Sequence, residues 1–171
     1  MRFTTKPDAE AFFGARQKKT NGGRGASRFK AGNFYYVSRL TTAAEVSQAL
    51  ADAQGDFTEC MVWPSALVWG DRSLEDPAPP DWAAYAQWRQ KHGERRSLYE
   101  APGHLFEAHE RPELARLLEM AIYMGWDALV ASRPFKASLE LSHDDRVTIH
   151  ARTRQAALVA KLEQLGMKRG D

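Results

Sequence analysis

Cysteine is almost absent from this chain, Cys60 being its only example. A single thiol permits no internal disulfide and no cysteine-built zinc site, so a reducing, cytoplasmic setting is expected. Long apolar runs are missing too. None approaches the roughly 18 residues that a bilayer-spanning helix requires, and Met1 to Glu10 lack the apolar centre of a secretory signal, so no membrane association is expected. No phosphate loop ending in Gly-Lys-Ser/Thr and no dinucleotide fingerprint between a strand and a helix occurs, and no internal repeat is visible. These gaps leave no cofactor to be expected.

What is present suits one compact domain. A chain of 171 residues buries roughly 70% of its unfolded surface. Five Trp, eight Phe and five Tyr supply core material, and 27% charged residues supply a solvated surface. The net charge of +2 conceals an asymmetry: residues 1–40 carry nine Lys or Arg against two acids, so the first forty residues are basic and the remainder acidic. A basic end could steer an anionic partner, although a solvated face or loop explains it better.

Local patterns divide the chain into alternating helices and strands. Pro7 to Arg16 predicts a short helix with acids in its first turn and Gly14 interrupting it. The glycines around Asn21-Gly22-Gly23-Arg24-Gly25 predict a flexible basic loop over about residues 18–28. Phe29 to Leu40, rich in aromatic residues, predicts a strand. Thr42 with Glu45 three residues on predicts a capping box opening a helix that ends near Gly55. Phe57 to Trp69 predicts a strand in its first half, because Pro64 cannot donate to a ladder. Residues 71–80 predict a loop, followed by a helix from near Asp81 with Trp82, Tyr85 and Trp88 on one face. The apolar spacing of Leu114, Leu117, Leu118, Ala121 and Ile122 predicts a helix over Pro112–Met124, stopped by Gly125. Trp126–Ala131 predicts a strand, and Ser138–Ser142 with Val147–Ala151 a hairpin around a four-residue turn. A last helix is expected over Arg154–Leu165. The class predicted is α+β, or mixed α/β, in a single domain: a four- to five-stranded sheet with a C-terminal antiparallel hairpin, covered by helices.

Ser142-His143-Asp144-Asp145 contains the ingredients of acyl transfer, but triad members converge from separated positions, and four consecutive residues cannot. The stretch is expected to shape a turn instead. His104, His109 and His143 could assemble with Glu107 as metal ligands, or His104, Glu107 and His143 as a small hydrolase site, yet no metal-ligand spacing supports this. Pro102-Gly103-His104 reads better as a turn into a helix. Lys18, Lys19, Arg24, Arg28 and Lys30 could neutralise a phosphate or nucleic acid, with Phe29, Phe34, Tyr35 and Tyr36 offering rings for stacking, against a core role for those rings. Cys60, in an apolar strand without a neighbouring base, is expected to be an inert buried thiol.

Four motifs occur in order: Val62-Trp63-Pro64-Ser65, Ala101-Pro102-Gly103-His104-Leu105-Phe106, Gly125-Trp126-Asp127-Ala128 and Ser142-His143-Asp144-Asp145. Over residues 57–150 the chain thereby resembles a group of small bacterial cytoplasmic proteins, themselves similar to immunity proteins encoded beside polymorphic toxins. The resemblance implies a non-enzymatic role, neutralising a cognate toxin by binding it, and carries over no catalytic residue. A stoichiometric inhibitor needs only a surface of roughly 800 Å² with a few anchors. Asp71, Glu75, Asp76 and Asp81, with Glu107 and Glu110, are the candidate acids for steering a basic toxin surface. A nucleic-acid-binding protein using the basic N-terminal segment is the alternative.

Overall fold

In the strand Glu59–Pro64 (β3), alternate side chains go to opposite faces of the sheet, and the two faces meet different helices. Cys60 and Val62 join the main core, whereas Met61 and Trp63 join a second, smaller cluster. The computed structural model describes residues 1–21, 29–35, 39–64, 80–135, 137–151 and 155–170. These form one antiparallel sheet of eight strands and five α-helices, an α+β architecture. Arg2–Thr4 (β1) lies at one rim, followed across the sheet by Gly103–Glu107 (β4), β3, Ala128–Arg133 (β5), Ala137–Ser142 (β6), Arg146–Ala151 (β7), Phe29–Tyr35 (β2) and Lys168–Gly170 (β8).

The sheet is wider than the four or five strands predicted. Two of the additions, β1 and β8, are three-residue pieces too short to carry a period. The third, β4, replaces the expected turn into a helix at Pro102-Gly103-His104. Its residues Gly103 to Phe106 are all buried, and a strand covered on both faces loses the alternation that announces one.

Helices Arg39–Asp52 (α2), Pro80–Lys91 (α3), Arg111–Tyr123 (α4) and Ala156–Gln164 (α5) contribute to the main core on one face, where Leu114, Leu117 and Leu118 of α4 meet Val130, Leu139 and Ile149 of the sheet. Burying each such leucine contributes roughly 1.5–3 kcal/mol. The helix ends where predicted: Gly125, at φ 63°, lets the Trp126 N–H reach back to the Ala121 carbonyl at 2.8 Å. On the opposite face lies Lys6–Asn21 (α1), whose Phe12 and Phe13 pack on Met61, Leu105 and Ala131. Gly14 does not interrupt α1, and residues 18–21 of the predicted flexible loop are helical. Once Phe12 and Phe13 are anchored on the sheet, the propensity cost of one glycine, about 1 kcal/mol, does not stop the helix. Residues 22–28 of that loop lie outside the described residues.

Helix α2 begins at Arg39, three residues before the predicted Thr42 cap, so Glu45 stands mid-helix. The helix takes the last two residues of the predicted 29–40 strand. The C-terminal hairpin forms as predicted, but Ser142 pairs with Arg146, leaving a three-residue turn in which Asp145 takes φ 60°.

Gly103 is where β1 rests on the sheet. A Cβ there would collide with Thr4 Oγ1 and crowd Met61 Sδ at 3.1 Å and Ala9 Cβ at 3.2 Å. Gly103→Ala is therefore expected to cost about 1–3 kcal/mol by overpacking, read as a lowered midpoint in urea unfolding. An unchanged midpoint would mean that β1 and α1 shift at no cost.

Candidate functional site

The densest group of polar chemistry is buried between α3 and β4. Tyr85 and Arg89, four apart on α3, share one helical face, which turns toward His104 on β4. The Arg89 guanidinium, only 5% exposed, can only donate. It gives hydrogen bonds to the Tyr85 hydroxyl at 2.9 Å, to the Ala101 carbonyl at 3.2 Å, and to the carbonyls of Arg96 and Ser97 at 3.0 and 3.3 Å. The Tyr85 oxygen stands 2.7 Å from His104 Nε2. Phe3 covers the group, its ring 5.2 Å from that of His104 and 4.7 Å from the Arg89 guanidinium carbon. Tyr85 also stacks on Trp88 and meets Trp126 edge-on at 4.9 Å.

Electrostatics follow from this enclosure. Burial, with help from the Arg89 charge, holds His104 down to about 3, so the imidazole is neutral at ordinary pH. The carbonyls of Val62 and Pro102 pull weakly the other way, but neither meets Nδ1 in hydrogen-bond geometry. Burial raises the Tyr85 hydroxyl to about 12, against the lowering effect of Arg89. Just outside, Arg96 grips Glu94 at 2.6 Å, holds that carboxyl near 2, and donates to the Phe3 carbonyl at 3.2 Å. The network closes the 94–101 turn and pins β1. With His104 fully buried, it offers substrate no route to the imidazole.

The proposed His104, His109, His143 and Glu107 assembly does not form. On a helix His104 and Glu107, three apart, could share a face, but they lie on a strand and face opposite sides of the sheet. Glu107 and His109 are exposed and lie 3.7 Å apart. His143 sits at the β6–β7 turn, where the Asp127 carboxylate accepts its backbone N–H at 2.8 Å and approaches Nδ1 at 3.0 Å. Asp127 was missed by sequence reasoning, although the pairing of Ala128 with Leu141 places it opposite Ser142, beside His143. Asp144 stands on the other side of the ring, 3.4 Å from Nε2, so the two carboxylates flank the imidazole instead of converging with it. The Ser142 hydroxyl accepts the Asp144 N–H at 3.2 Å, which makes the segment a turn. Among the described residues, no three His, Cys, Asp or Glu side chains gather where they could hold a metal ion. Cys60 is buried, and burial pushes its thiol far above the usual range, which leaves it inert.

Of the acids singled out, Asp71, Glu75 and Asp76 lie outside the described residues, and Asp81 occupies the first turn of α3. Glu107 is exposed. Glu110 is committed internally, to the Met1 ammonium and to the Glu107 N–H at 2.9 Å. Of the basic candidates, Lys18 and Lys19 fall in the last turns of α1 and Lys30 lies on β2 opposite His150, while Arg24 and Arg28 are outside the described residues.

A different feature stands open to solvent. Between α2 and α5 runs a groove of about 580 Å³, floored by Ala49, Ala53 and Leu158 and edged by Glu45, Asp52 and Lys161. No helix among the described residues is long and apolar enough to cross a membrane.

Fold and site together define an α+β protein with a fully antiparallel sheet, a sealed polar core and an open inter-helical groove. No family model matches this sequence, and no curated protein or solved structure matches it either.

Proposed function

We propose that the protein is a non-enzymatic, cytoplasmic binding factor that neutralises a bacterial toxin by occupying it directly, in the manner of an immunity protein. The observation that carries this reading is the α2–α5 groove, an open concavity with an apolar floor and charged edges, the form of a recognition surface. Further support comes from where the reactive groups lie. His104, Tyr85 and Cys60 are withdrawn from solvent, the imidazole as a neutral ring and the phenol and thiol held in their protonated forms. The resemblance of residues 57–150 to small bacterial proteins that are themselves similar to immunity proteins is in keeping with this reading.

Co-expression with the toxin encoded beside it, in a bacterial host, tests the reading. Growth should be restored, and the two proteins should co-elute as a stoichiometric complex. Undiminished growth arrest together with separate elution would refute it.

A further inference from the structure

Resting on that binding reading, we infer that the groove between α2 and α5 is the partner's seat and that its occupant is an amphipathic helix with lysines or arginines along the flank that faces α2. Glu45, Gln48, Ala49 and Asp52 follow one another at helical spacing, so they form one stripe along the wall of the groove. Glu45 and Asp52 are two turns apart, about 10 Å along the axis. Among the described residues, the Glu45 carboxylate meets no donor or cation, and Asp52 accepts from Gln48 Nε2 of its own helix, at 3.0 Å. Lys161 on the opposite wall bridges to neither. Two carboxylates at two-turn spacing are complementary to two cations spaced alike on an incoming helix. Lys161 then meets the other flank and sets which way round that helix lies.

Shape selects the same occupant. Ala49 and Ala53 keep the floor low, so an incoming helix can approach to an interaxial distance of roughly 8 Å. A second copy of this chain, related by a two-fold axis, would set hollow against hollow and leave the groove unfilled. A convex, narrow element fills it. This is the helix-in-groove mode of recognition, with apolar anchors repeating at every third or fourth residue.

The test uses the full chain and two synthetic helix-forming peptides, both with a leucine–alanine face, one carrying lysines and its twin glutamates on the flank. Backbone amide shifts should move at 44–53 and 158–161, with the lysine peptide binding at least tenfold tighter than the glutamate twin. Ala49→Arg, which sets a long side chain on the partly buried floor of the groove, should abolish binding, with amide shifts away from the groove unchanged to show that the fold is kept. Glu45→Gln combined with Asp52→Asn keeps the shape and should erase the preference for lysine. Equal affinity for both peptides, or shifts centred elsewhere, would overturn the inference. The two readings separate in the co-expression assay. If the wild-type chain and Ala49→Arg protect cells equally, the groove is not the seat and toxin binding stands. If the wild type gives no protection while the lysine peptide docks at 44–53, toxin neutralisation fails and the groove's preference stands.

Discussion

Acidification from pH 7 to pH 4 is expected to remove about 3 kcal/mol of folding stability through His104 alone. Its imidazole is held at about 3 in the fold, against roughly 6.5 in the unfolded chain. Between those values the unfolded state binds a proton that the native state refuses. The contribution is therefore fully present above pH 6.5 and drains away as the pH falls toward 3. Near pH 5 the slope amounts to about 1.4 kcal/mol per pH unit for the one proton. Urea unfolding at half-unit pH steps measures it. His104→Gln should lose this slope, so the wild-type and variant profiles should converge toward acid; parallel profiles would show that the ring is protonated in place. Glu94 works in a lower window. Its carboxyl, held near 2 by Arg96, contributes stability above about pH 4.5 that disappears as the pH drops through 2, a window that overlaps the acid end of the histidine's.

Replacing Arg89 should have an effect of similar size at neutral pH. Arg89→Met keeps the apolar stem but strips donors from the carbonyls of Ala101, Arg96 and Ser97 and from the Tyr85 oxygen. Each buried acceptor left unmet costs about 1–3 kcal/mol, less where water can enter. A loss of about 3–4 kcal/mol in chemical denaturation is expected, and Arg89→Lys should recover less than half, because one ammonium cannot span the fork of acceptors. A cost below about 1 kcal/mol would mean that the 94–101 turn holds itself together without the guanidinium.

Much of this architecture was legible from residue patterns, and the failures have physical causes. The α4 helix and the hairpin were readable because each keeps its large apolar residues on one face, even though Ser138 and Thr148 on the second face of the hairpin are buried as well. β4 was hidden for the converse reason: helices cover it on one face and α1 on the other, and Gly103 resembles a turn residue until its closeness to Thr4 is seen. The motif Gly125-Trp126-Asp127 resolves into three separate duties: a left-handed helix stop, a ring packed on Tyr85, and a carboxylate holding the β6–β7 turn. Only the first is a local property that spacing can announce. Arg89 drew no notice in the sequence because an arginine near the end of a helix is ordinarily a solvated charge; its burial depends on carbonyls of the following turn. The groove acids were passed over for a similar reason. In the sequence Glu45 stands where a capping box would place it, and only the earlier start of α2 turns it outward beside Asp52.

The strand order also dictates when the molecule can be completed during synthesis. β2 comes early in the chain, yet its neighbours on either side are residues 146–151 and 168–170. At translation rates of roughly 5–20 residues per second, β2 must wait several seconds outside the ribosome for both. Throughout that wait it carries open backbone groups and an aromatic side chain, Phe34, that will later be fully enclosed. Nascent chains stalled before residue 146 should accordingly depend on chaperones, whereas release of the last strands closes the sheet in one step.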